Sequence, residues 1–334
     1  MKKKNTKLTV IVLVAIVMSI VCSLPAFAVV VKHEKIVAAD GSGDYLTIGA
    51  ALSAISGATD SNRYLIKVKP GIYNESVIMK NYVDLEGSGS SNTAITSNIT
   101  STAGNADCRP TVATLKGANS STIKNIRITN TSSTAGAAVL IDNVVTNLEN
   151  VVVEAIGVGS NENDGVCING SAASGISLDN VEVKAEGGSA ASYGIGITNG
   201  ASVSINRSHS IAASTSVYSF ACSLSVRGIA NASDSVFEAS GARDVYTIYG
   251  TNGSTSLRGV IVIAINGQSS TYGIRSTVGQ ITGSEISATS SQGNIASISS
   301  SNLKIGSTLI GGGYSGLDKL VNCWDENFNP IPNQ

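Results

Sequence analysis

The sequence predicts an all-β chain wound into a single-stranded right-handed parallel β-helix, with one short capping helix near its start. Three observations carry that prediction. The chain of 334 residues holds 35 Gly and only 5 Pro, and charged residues make up 13% of it, which suits many short strands joined by tight turns. Eight related segments recur from residue 121 onward at intervals of roughly 25 residues, the mark of a unit that buries its apolar face only by stacking on copies of itself. One position in six of those segments is held by Asn or Gly, the two residues that most readily take a left-handed backbone.

The elements follow in order. Residues 1–28 read as an export leader: a basic start "MKKKNTK", an apolar run from Leu8 to Val21, and "AFA" at 26–28 as a cleavage site. The apolar run is shorter than the roughly 20 residues of a spanning helix, so cleavage is expected, with no membrane association afterwards. Cys22 follows Val21 rather than a small residue, which makes lipidation the lesser reading. Residues 29–110 are expected to form an N-terminal cap and the first coils, 111–322 the repeats, and 323–334 a tail.

In the cap, "DGSGD" (40–44) reads as a turn, because it lacks the ligand spacing of a calcium loop. Thr47 is placed as the N-cap of a short helix. Ile48, Ala51, Leu52 and Ile55 share one of its faces, and that face would close the open end of the solenoid against solvent and against edge pairing.

The repeats run from "STIKNIRITN" (121–130) and "TNLENVVVEAIG" (146–157) to "SNLKIGSTLIGGG" (301–313). Asn125, Asn150 and Asn180 hold the turn position in three coils, and Gly259, Gly283 and Gly306 in the last three. A further short strand lies between successive segments: "AAVLI" (137–141), "GVCI" (165–168), "YGIGI" (193–197), "VYSFA" (217–221), "VYTIY" (245–249) and "TYGI" (271–274). A leucine-rich repeat has a similar period, but its leucine and asparagine consensus is absent.

The leader implies an oxidising destination in which disulfides are permitted. Cys167 and Cys222 fall on corresponding strands two coils apart, about 9.6 Å by stacking, beyond the roughly 7 Å a disulfide spans. Both are expected as buried free thiols. Cys108 and Cys323 lie toward opposite ends and are not expected to meet.

Basic and acidic residues number 22 and 23, for a net charge of −1. With no basic stripe, nucleic acid is not an expected partner. No metal site and no cofactor is expected. One column has binding chemistry: Tyr193, Tyr218, Tyr246 and Tyr272 recur at one repeat position, with Asp164 one coil earlier. Facing outward they would form a platform for sugar rings; facing inward, a stacked aromatic ladder. Each Tyr shares strand parity with an apolar neighbour such as Ile195 or Ile274, and simple alternation favours the inward ladder.

"IVAADGSGDYLTIGAALSAI" (36–55) and "RYLIKVKPGIYNESVIMKNYVDLEGSGSSNTAIT" (63–96) resemble the opening of pectin methylesterases, which remove methyl esters from plant pectin. The likeness extends more loosely to about residue 155. It implies a pectin lyase-like β-helix and, in an active member, a glutamine of a "QAVAL" motif that helps hold the oxyanion. Gly136 falls at or near that place. No "QDTL" motif is present, Gly196 stands where the aspartate nucleophile of "GTVDFIFG" is implied, and the "LGRPW" segment is missing. "NENDGVCI" (161–168) is similar to an aspartate-bearing turn of polygalacturonases, with Asp164 as the candidate acid, weighed against a turn aspartate.

The expected function is therefore an exported, non-catalytic, pectinesterase-like protein at the cell surface or beyond it, extracellular or periplasmic, that binds polysaccharide or serves as structure. One alternative is a divergent pectinesterase or other polysaccharide-acting enzyme, with Asp142 and Asp164 as its first carboxylates and one-coil proximity expected between them. The other is an adhesin or fibre-like protein.

Overall fold

A computed structural model describes residues 33–101, 110–157, 161–214, 219–275, 278–291, 294–299, 302–311, 314–315, 319–321, 323–325 and 329–332. The expected leader, Cys108 and Tyr218 lie outside the described residues. Among these residues no helix is long and apolar enough to cross a membrane.

The chain is a parallel β-solenoid in which each coil supplies one strand to each of three sheets, of twelve, ten and twelve strands. In a typical coil, Ser121–Lys124 joins the first sheet, Arg127–Asn130 the second and Ala135–Asp142 the third, after which Thr146–Glu149 returns to the first sheet. Each segment read from the sequence as one repeat is thus two strands broken by a turn. Among the described residues, pairing between strands is parallel except where Pro330–Ile331 folds back antiparallel on Cys323–Asp325, and one isolated antiparallel bridge joins Thr59 to Asn62.

The breaking turn is where left-handed residues were expected. Asn125, Asn150 and Asn180 have φ of 55°, 54° and 53°, and Gly259 and Gly283 have 62° and 58°. In the last coil Ser307 (φ 49°), not Gly306, takes this place, since Gly306 still pairs with Thr282 as the final strand residue. The asparagine amides form a ladder: Nδ2 of Asn150 donates to Oδ1 of Asn125 at 3.2 Å, and Nδ2 of Asn180 to Oδ1 of Asn150 at 2.7 Å.

Columns of apolar side chains fill the interior. Ile66, Leu85, Ile123, Leu148, Leu178 and Ile205 line up in the first sheet, and Val139, Val166, Ile195, Leu224, Ile248, Ile274 and Ile298 in the third, all buried in one cluster. Burying each such side chain contributes about 1.5–3 kcal/mol.

The expected helix is present at Ile48–Ser53, with Oγ1 of Thr47 accepting from the Ala50 amide at 3.1 Å. Ile48, Ala51, Leu52 and Ile55 join the interior cluster together with Val37, Ile66 and Val77 of the first coils. A second cap was not anticipated: both oxygens of Glu75 accept from the helix, from the Ile48 and Gly49 amides, each at 2.8 Å.

Cysteine pairing departs from expectation at one residue. Cys222 and Cys323 are buried thiols outside any disulfide, but Cys167 is disulfide-bonded. Stacking distance bears only on cysteines that lie on the repeat strands. A partner off that grid escapes it. The grid position also needs correction, since Cys167 aligns with Gly196 and then Ser225, whereas Cys222 aligns with Tyr193.

Candidate functional site

The third sheet carries the candidate site on its outer face, because its strands bend at one position. Along Ala191–Thr198, Tyr193 pairs with Cys222 and Ile195 with Leu224, with Gly194 between them. A Cβ on Gly194 would lie 2.2 Å from Oγ of Ser210 in the second sheet, so this position faces the interior. Ile195 is interior too. Two successive residues therefore face inward, and the parity that assigned Tyr193 to the side of Ile195 is reversed. Gly165 and Gly273 repeat the geometry, with added Cβ atoms 2.4 Å from Val183 and 2.9 Å from Ile286. The tyrosines face away from the core, contrary to the inward ladder that simple alternation favours.

The register names the true column: Ala137, Asp164, Tyr193, Cys222, Tyr246, Tyr272 and Ala296. Cys222 takes the place given to Tyr218, because it is the residue of the strand Phe220–Val226 that pairs with Tyr193. The aromatic file is nevertheless continuous, because Phe220 and Tyr249 enter from adjacent columns. Phe220 lies 5.5 Å from Tyr193, 5.0 Å from Tyr246 and 5.9 Å from Tyr249, and Tyr246 is 5.4 Å from Tyr272. These tilted and edge-on contacts are the preferred aromatic geometry. Tyr193 is buried, whereas Phe220, Tyr246, Tyr249 and Tyr272 are half-buried. Arg275 completes the file, its guanidinium carbon 4.6 Å from the centre of the Tyr246 ring and 4.8 Å from that of Tyr272.

At the other end of the column Asp164 is 4% exposed and Glu162, two residues before it on the same outer face, 5%. Asp164 lies within the strand Glu162–Asn169, so it is not a turn aspartate. Its Oδ1 is buried without a hydrogen-bond partner. Burial, and then the charge of Glu162, push its pKa well above the usual carboxylate range.

Asp142 and Asp164 do not come together. Asp164 pairs with Ala137, five residues up the strand from Asp142, or roughly 16 Å at strand rise. Asp142 instead anchors an amide network at the end of the sheet, where its Oδ1 accepts from Nδ2 of Asn169 at 2.8 Å and of Asn143 at 3.1 Å. The proximity expected from adjacent coils fails because strand pairing fixes the coil and not the level along it. The nearest carboxyl to Asp164 in the chain was already in view, in "ENDG", but only the outward direction of both side chains makes them a pair.

The positions implied for the esterase chemistry are also placed. Gly136 pairs with Asn163, and an added Cβ would lie 2.7 Å from Oδ1 of Asn130. Both positions face inward, and Nδ2 of Asn163 donates to the Gly157 carbonyl at 3.0 Å. Gly196 stands beside Cys167, three residues along the strand from the position that pairs with Asp164. Among the described residues no group of three or more His, Cys, Asp or Glu is placed to hold a metal ion.

A three-sheet parallel β-solenoid bearing an aromatic file on one outer face is thus the class of protein, and it is pectin methylesterase-like. Residues 34–155 match the family model described as Pectinesterase. The chain is similar to putative pectinesterase/pectinesterase inhibitor 45 of Arabidopsis thaliana, 47% identical over 70 residues, which is 20% of this chain and 11% of that protein. It is also similar to pectinesterase/pectinesterase inhibitor U1 of Solanum lycopersicum, 42% identical over 69 residues, 20% of this chain and 12% of that one. The chain spans about a tenth of the length of these curated relatives. Among solved structures it is similar to a pectin methylesterase from carrot, with 18% identity, a TM-score of 0.43, and 86% and 84% of the two chains covered. A pectin methylesterase, PemA, from Erwinia chrysanthemi has 14% identity, a TM-score of 0.38, and 90% and 85% covered.

Proposed function

We propose that this protein is an exported, pectinesterase-like β-helix that binds polysaccharide on the outer face of its third sheet without esterase turnover. The observation that carries the reading is the outward aromatic file of Phe220, Tyr246, Tyr249 and Tyr272. Half-buried rings on a rigid sheet present apolar faces to the C–H surfaces of sugars and hydroxyls to their polar edges, at little entropic cost. Affinity electrophoresis of the purified chain through gels holding plant cell-wall polysaccharides tests it. Tyr246→Ala and Tyr272→Ala are expected to weaken retention at least tenfold while thermal unfolding stays cooperative. Retention unchanged in both variants would sink the reading.

One observation favours a second reading, a divergent esterase. Glu162 and Asp164 form a neighbouring carboxyl pair in which burial, and then the charge of Glu162, raise the pKa of Asp164, and nucleophile and acid are the two roles such a pair fills. On this reading the pair is Glu162 and Asp164 rather than Asp142 and Asp164. Methanol release from methylated pectin by the wild-type chain, abolished in Glu162→Gln and Asp164→Asn, would establish it and displace the non-catalytic reading.

A further inference from the structure

The aromatic file ends on a cation, Arg275. Arg275 has no carboxylate partner among the described residues. The acid on the same face in its own half of the file, Asp244, is bound to Arg243 at 2.7 Å, and Glu162 and Asp164 lie at the opposite end. Arg275 pairs in register with Tyr249 on one side and Ser299 on the other, neither of which carries charge.

The guanidinium is also held in one orientation. It lies against the Tyr246 and Tyr272 rings, and its Nη1 donates to the Tyr246 hydroxyl. Stacking uses the faces of a guanidinium and leaves its edge, and with it most of its five N–H donors, free to meet two oxygens of one anion in a two-pronged contact. Lysine has a point charge and no such edge. From Asp164 to Tyr272 the column runs four strand intervals, about 19 Å, so an extended chain lying along the file would reach Arg275.

Resting on the carbohydrate-binding reading above, we propose that Arg275 is an anion-recognising residue of this face, and that the ligand is an acidic polysaccharide whose carboxylate or sulfate group it receives. The rings supply contact area, and Arg275 supplies the choice among polysaccharides.

The test is affinity electrophoresis of the full chain in four gels, containing polygalacturonate, fully methyl-esterified polygalacturonate, dextran sulfate and dextran. The wild type is expected to be retained at least tenfold more strongly by one of the two anionic polymers than by its uncharged counterpart, and which one separates carboxylate from sulfate. Arg275→Gln is expected to lose that preference and to keep its binding to uncharged polymer. Arg275→Lys should recover only part of it. Raising ionic strength should weaken the wild type and leave Arg275→Gln unmoved. Equal retention of charged and uncharged polymers by the wild type overturns the proposal. So does undiminished anionic binding in Arg275→Gln. If Tyr246→Ala abolishes retention while Arg275→Gln does not, the carbohydrate-binding reading stands and only this inference falls. If none of the four polymers is retained, both fall.

Discussion

Asp164 is the residue whose environment most constrains the chemistry of this face. Buried, with one oxygen unpartnered and Glu162 beside it, its carboxyl keeps its proton to higher pH than in the unfolded chain, where it ionises near the ordinary value of about 3.9. The sign follows from linkage. The folded state carries no penalty below that unfolded value, and the penalty grows as pH rises toward and through the raised folded value. Asp164→Asn is therefore expected to stabilise the fold at pH 7 by about 1–3 kcal/mol, the usual cost of a poorly satisfied buried polar group, and to give no gain at pH 3.5. Thermal unfolding of both chains at the two pH values reads this directly. A melting temperature lowered by the substitution at pH 7 would show instead that the carboxylate is ionised and well partnered.

At the scale of elements, the left-handed turn between the first and second sheets sets the solenoid's corner. Asn180 illustrates both of its duties: a φ of 53° and an amide bond to Asn150. Asn180→Gly keeps the first and loses the second, and is expected to cost about 0.5–1.5 kcal/mol, one hydrogen bond's net contribution. Asn180→Val loses both, since a β-branched side chain clashes at positive φ by roughly a further 1–2 kcal/mol. Denaturant unfolding of the two variants should rank them in that order. Equal losses would mean that the ladder bond, and not the backbone conformation, matters here. This corner was legible in the sequence because it depends on residue type alone. The bend at Gly165, Gly194 and Gly273 was not. In other coils the same position holds Ser223 or Thr247, whose hydroxyls reach the carbonyls of Ser210 and Ile263 across the interior. No single residue type marks it, and so the alternation rule was carried through a position where it fails.

At the scale of the whole solenoid, each coil rests on its neighbours, so a fault at one end stays near that end. The N-terminal end is closed by the helix Ile48–Ser53, and Glu75 ties the helix's first turn to the strand region beneath it through two hydrogen bonds. Glu75→Ala leaves two helix donors without their acceptor and is expected to cost about 1–2 kcal/mol, in the range of a lost cap. Amide hydrogen exchange should quicken over residues 46–55 and the first coils and stay unchanged beyond about residue 200. A uniform rise in exchange along the chain would instead show that all coils unfold as one unit.

The architecture, the capping helix and the left-handed corner are all legible in the residues alone. These depend on periodicity and on what one residue's backbone can do, and both are written along the chain. Which way the tyrosines face, that Glu162 and not Asp142 is the neighbour of Asp164, and that Phe220, Tyr249 and Arg275 join the file are settled by the folding of the coils on one another. Each of those depends on register and strand bending. A register is a relation between residues about 25 positions apart, and a bend of one residue turns a side chain from core to surface without changing any letter around it.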